Sequence, residues 1–171
     1  KPVAIANYLD YIHGLNLGKP VWVVMQLWAT RSQPDLIPSA WENQAMVFMA
    51  IVHGAEGIGW YSFRFSDRKG ELELASEAFP ALWQNTQECI RILQTLSEAL
   101  KSSPYNGYQK SGTVHYRIVA DDNNIWLLAV ETSGKPCNAK LRFETLLGVR
   151  SIERHFVGLE TLVKWVGNRQ I

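Results

Sequence analysis

The decapeptide KPVWVVMQLW, Lys19 to Trp28, is apolar and β-branched until it reaches an amide, Gln26, and an indole, Trp28. A second stretch, GIGWYSF from Gly57 to Phe63, ends in Trp60, Tyr61 and Ser62, with Arg64 immediately beyond. Amide, hydroxyl and guanidinium groups supply hydrogen bonds in fixed directions, and indole and phenol rings supply flat faces for stacking. Such tips suit recognition of a ligand, though each side chain also has a plainer reading as packing. No acid stands at either tip: Met25 and Gln26 occupy the first, and a neutral amide cannot act as a general base.

Alternation along a strand lets only one of Trp60 and Tyr61 point toward such a ligand, and the reading favours Trp60. The following loop carries Arg64, Asp67, Arg68, Glu71 and Glu73, where contact with a ligand competes with ordinary solvated charge. His13 and His53 each precede a glycine that closes a helix, where an imidazole can meet the last carbonyls. His115 and His155 fall in strand-like segments without a recognisable partner. Four scattered histidines, none paired with Cys, Asp or Glu at ligand spacing, predict no metal site. GAEGIG precedes a strand instead of joining strand to helix, so it is no phosphate loop, and no cofactor is expected.

The elements that must place these tips follow from hydrophobic period. Ile5, Tyr8, Leu9 and Ile12 predict a helix over 3–13, ended by Gly14. Val21 to Leu27 reads as a parallel strand buried on both faces, with Val21, Val23, Met25 and Leu27 on one side and Trp22, Val24, Gln26 and Trp28 on the other. After a loop, Ala29 to Pro38, Ser39 and Glu42 form a capping box for a helix that buries Ala45, Phe48, Met49 and Val52 and closes at Gly54. Gly57 to Phe63 is a second strand and Arg64 to Ser76 a second long loop. Glu77 to Lys101 reads as one helix, with Pro80 in its first turn and Leu82, Cys89, Leu93, Leu96 and Leu100 along one side. Tight links after helices and long loops after strands are the asymmetry of (β/α) architecture, in which the loops after strands form the active face.

Pro104, Gly107 and Gly112 mark a linker over 104–112. Beyond it, Val114 to Ala120 and Ile125 to Thr132 flank a turn at Asp121 to Asn124, a hairpin signal, and Lys140 to Phe143, Val149 to Phe156 and Thr161 to Val166 are further strand candidates. The expected fold is α/β over 1–103 followed by an all-β domain over 113–171. The 171 residues, 47% hydrophobic with seven Trp, are enough for packed cores. A net charge of +1 from mixed charges leaves no basic face for nucleic acid, and no apolar run approaches the ~20 residues of a membrane span. Cys89 and Cys137 are too isolated for a disulfide framework and read as free thiols. The chain enters a helical pattern directly after Lys1, which points to a piece of something longer.

"KPVWVVMQLW", then "SAWENQAMVFMAIVHGAEGIGWYSF", then a long helix and a β-module resemble the last quarter of glycoside hydrolase (β/α)8 barrels, the β-galactosidase-like clan. The resemblance implies that 1–103 are the C-terminal βα units of a TIM-type barrel, incomplete in this chain, and that 113–171 are an appended small β-sandwich. In it 3–13 is the sixth helix, 19–28 the seventh strand, 57–63 the eighth strand and 77–101 the eighth helix. It implies a carbohydrate ligand, with Gln26 hydrogen-bonding a hydroxyl and Trp28 and Trp60 on ring faces, and Tyr61 and Arg64 nearby. It also implies an aromatic residue joined to its successor by a cis peptide near the end of the second strand. Such families usually carry a nucleophilic Glu where Met25 and Gln26 stand, so the catalytic acids are expected on strands outside this chain. A whole barrel needs about 250 residues, so the expected partner is the remainder of the barrel, preceding part or another chain, and this chain alone is expected to be inactive. The alternative is a non-catalytic sugar-binding or assembly module, with the β-domain as its binding part.

Overall fold

Two short parallel strands, each preceded by a helix, open the fold. The computed structural model describes residues 2–28, 36–66, 72–101, 103–104, 107–120, 125–135, 137 and 139. Helix α1 (Pro2–Gly14) leads to β1 (Trp22–Gln26), then α2 (Ala40–Val52) and β2 (Gly57–Tyr61). β1 and β2 pair in parallel, Trp22 opposite Gly57 and Gln26 opposite Tyr61.

The ends of α2 are written in sequence. Ser39 Oγ accepts from the Glu42 amide at 3.2 Å while Glu42 Oε2 accepts from the Ser39 amide at 2.9 Å, the capping box in full. At the other end the Gly54 and Ala55 amides donate to Ile51 and Ala50, and Gly54 adopts φ +89°. This double closure requires a left-handed residue, which glycine adopts without steric cost. Between these ends α2 is buried almost all round, from Ala45 to Val52, and not along one stripe only. The reason is its neighbours: α1, α4, β1 and the later hairpin all pack on it.

Two expected elements divide differently. Inside the loop expected at Arg64–Ser76, β3 (Arg64–Ser66) and β4 (Leu72–Leu74) pair antiparallel. The helix expected over 77–101 is three helices, α3 (Ala75–Ala78), α4 (Pro80–Thr95) and α5 (Ser97–Lys101). The first break is the work of Pro80. Its ring excludes the α conformation from the residue before it, and Phe79 sits at φ −135°, ψ 61°, leaving Pro80 to start α4. Leu82 and Cys89 are buried as expected, but Leu100 is exposed.

The stretch expected to be a linker contains β5 (Ser103–Pro104) and β6 (Gln109–Ser111), both antiparallel to β7 (Val114–Ala120). β7 also pairs with β8 (Ile125–Glu131), the expected hairpin. This four-stranded sheet packs on α2, so the division expected at 104–112 falls inside one compact unit, 1–135. A second unit spans 136–171. Asp67, Arg68, Glu71, the turn Asp121–Asn124, His155 and the strand candidates from Lys140 onward lie outside the described residues, as does most of the expected β-sandwich. Among the described residues no helix is long and apolar enough to cross a membrane.

Candidate functional site

The parity of β1 and β2 divides the candidate residues between two faces. Met25 and Leu27 are buried on the helix side, whereas Trp22 and Val24 are 71% and 65% exposed on the other. The strand expected to be buried on both faces is therefore covered on one. Opposite Trp22 and Val24 the neighbouring strand presents Gly57 and Gly59, so large side chains on β1 face none on β2. At the C-terminal end of this open face Gln26 and Tyr61 stand side by side, Tyr61 63% exposed.

Trp60 points the other way, the reverse of the expected orientation. Its indole donates from Nε1 to Asn43 Oδ1 at 3.1 Å and packs against the Leu27, Ala75 and Leu82 cluster. Asn43 is wholly buried and its amide donates to Asn85 Oδ1 at 2.8 Å and Thr86 Oγ1 at 3.3 Å. Trp60 is thus the anchor by which β2 is fixed to α2 and α4, and Tyr61 is the residue that alternation delivers to the open face.

Gln26 also has a structural task. Its amide nitrogen donates to the Trp28 carbonyl at 2.7 Å and the Leu36 carbonyl at 3.1 Å, tying Trp28 to Leu36. The carbonyl oxygen is then the group it can offer a ligand's hydroxyl. Trp28 is half-buried and Arg64 exposed. The Tyr61–Ser62 peptide is cis, and Ser62 Oγ donates to the Arg64 carbonyl. No carboxylate lies between Val21 and Trp28 or between Gly57 and Phe63. A groove between Ile12, Lys19, Trp22 and Glu56 lies at the opposite end of the strands.

A polar cluster that sequence reading did not assemble joins α1, α2 and the four-stranded sheet. His53 Nδ1 lies 2.7 Å from Asp10 Oδ1, and His53 Nε2 lies 2.8 Å from His115 Nδ1. Tyr108 donates its hydroxyl to Asp10 Oδ2 at 2.7 Å and packs its ring against that of His53. Burial would raise the Asp10 carboxyl, but donation from Tyr108 and His53 holds it below its ordinary value. Burial pushes both His53 and His115 below the usual imidazole value, and the bond to Asp10 lifts the Tyr108 phenol to about 12. His53 was expected to meet the last carbonyls of its helix and His115 to lack a partner; they meet each other. No sequence signal joins them: His53 follows a helix and His115 lies near the start of a strand, 62 positions apart.

Among the described residues no group of three or more His, Cys, Asp or Glu is arranged to hold a metal ion. Cys89 and Cys137 are free thiols, and burial lifts that of Cys89 to about 11. Set against known protein families, curated proteins and solved structures, the chain matches none of them.

Proposed function

We propose that this chain supplies the last βα units of a (β/α)8 barrel of glycoside hydrolase type, and that its part in catalysis is to bind the carbohydrate. The observation that carries the reading is the open face of the β1–β2 pair. A parallel pair joined through a helix, covered by helices on one side and presenting Trp22 and Val24 bare on the other, is what a segment of barrel wall presents when its remaining strands are elsewhere. The large-against-glycine pairing of Trp22 with Gly57 and Val24 with Gly59 suits a barrel interior, whose layers are filled from alternate strands.

Active sites of such barrels lie at the C-terminal ends of the strands. There Gln26 offers its carbonyl oxygen to a hydroxyl, Tyr61 offers its ring and phenol, and Trp28 and Arg64 flank them. Trp60 acts through Asn43 as an anchor and takes no part in stacking. Hydrolysis uses two carboxylates flanking the glycosidic bond. The strand ends of this chain carry none, so the acids belong to the rest of the barrel.

The test uses the protein as its native source makes it. Its intact mass should lie well above 19.4 kDa; a mass equal to these 171 residues would sink the barrel reading. In that protein Tyr61→Ala and Gln26→Ala should each weaken oligosaccharide binding roughly 3–10-fold, the worth of one net hydrogen bond. Unchanged binding in both variants, or glycoside turnover by the 171-residue chain alone, would equally overturn the proposal.

A further inference from the structure

The Asp10–His53–His115 chain links three elements: α1 carries Asp10, the end of α2 carries His53, and β7 carries His115. His53 has no exposed side-chain surface and His115 is 6% exposed. Their hydrogen bonds limit how many protons the chain can hold. With both rings neutral, His53 donates from Nδ1 to the Asp10 carboxylate and accepts at Nε2 from His115 Nδ1. One added proton leaves every bond in place, because either ring can be the imidazolium while a single hydrogen lies between Nε2 and Nδ1. A second added proton sets N–H against N–H across 2.8 Å.

The surroundings do not absorb that second charge. Lys110, on β6 beside His115, holds its ammonium 5.4 Å from the Tyr108 ring centroid. Arg117, two residues along β7, places Nη1 3.4 Å from the Ile51 carbonyl on α2, and its buried Nε has no partner among the described residues. His13, on α1, lies over Gly54 beside His53. Against the Lys110 and Arg117 cations and the neutral Tyr108 phenol, the carboxylate bonded in this cluster among the described residues is Asp10.

We propose that Asp10, His53 and His115 form an acid-sensitive latch between the helices and the four-stranded sheet, which accepts one proton and is opened by a second. The latch is independent of any sugar chemistry. Its linkage sign follows from the imidazoles, which are held below their ordinary value of 6.5 in the folded chain. Their contribution to stability is complete above that value and is lost as pH falls below it toward the lowered folded values.

Hydrogen exchange of the protein as its native source makes it, followed between pH 8 and pH 4 and corrected for intrinsic rates, tests this. Protection of β7 and β8 should fall with acidification before that of α4. His115→Asn places an amide nitrogen where Nδ1 stands and so keeps a partner for His53 Nε2 but cannot take a proton, so loss should move to lower pH by roughly one unit. Asp10→Asn removes the carboxylate that tolerates the first proton, so loss should move to higher pH. Two variants with opposite displacements support the latch. Protection of β7 and β8 that persists to pH 4, or variants that leave the transition in place or move it the same way, would overturn it. If His115→Asn does not fold, the direction of the Asp10→Asn displacement decides.

Discussion

Trp22 lays its indole across Gly57 of the neighbouring strand, so closely that a methyl group at 57 would overlap the ring. Gly57→Ala must therefore move the indole. Because Trp22 is largely exposed it can swing away, which places the cost near the low end of overpacking, about 1 kcal/mol. Urea unfolding of Gly57→Ala, Trp22→Ala and the double variant should show that alanine at 57 costs much less once the indole is gone, since residues in contact do not behave additively. Equal costs in both backgrounds would mean that the ring does not rest on Gly57.

Asn43 is the polar centre of the α2–α4–β2 packing. It accepts from Trp60 and donates to Asn85 and Thr86. Asn43→Ala strands these buried groups and should cost about 2–4 kcal/mol. Trp60→Phe removes one of the same bonds and should cost less, and the double variant should lose less than the two together. Thermal or urea unfolding reads all three. A loss below 1 kcal/mol for Asn43→Ala would show that the network is dispensable.

Glu131 closes the end of β8, accepting from the Ser133 and Gly134 amides at 2.7 Å each. Burial would raise its carboxyl, but these donors, with the Ser133 and Thr113 hydroxyls, bring it down from 4.5 to about 2. The stability it supplies is complete above pH 4.5 and is lost as pH falls toward 2. Glu131→Gln should lower stability at neutral pH and flatten its decline between those values. The histidine contribution starts to fall at pH 6.5 and that of Glu131 only at 4.5, so the two set in at different points of one titration of unfolding free energy.

The legible parts of the fold are those governed by neighbours in sequence. Ser39 with Glu42, and Gly54 after His53, mark both ends of α2, and the parity of β1 groups Met25 with Leu27 on one side, although burial was expected on both. Pro80 was legible too, as a helix start in place of a passenger in the first turn of a longer one, since Phe79 before it cannot be helical. What sequence could not reveal is decided by distant partners. Nothing near position 60 shows that the indole, and not the phenol, has a buried amide waiting on α2. His53 and His115 are joined only because the sheet packs on α2, a contact that no local pattern encodes. The same contact joins segments on either side of 104–112.

The all-round burial of α2 has a consequence for how the chain is made. Its apolar surface is complete once Val52 is synthesised, but the β8 strand that covers part of it begins only at Ile125. At ~5–20 residues per second those intervening positions take roughly 4–15 s to translate. For that interval the part of α2 that the hairpin will cover stays open to water, while α1 and β1, already made, can pack on the rest.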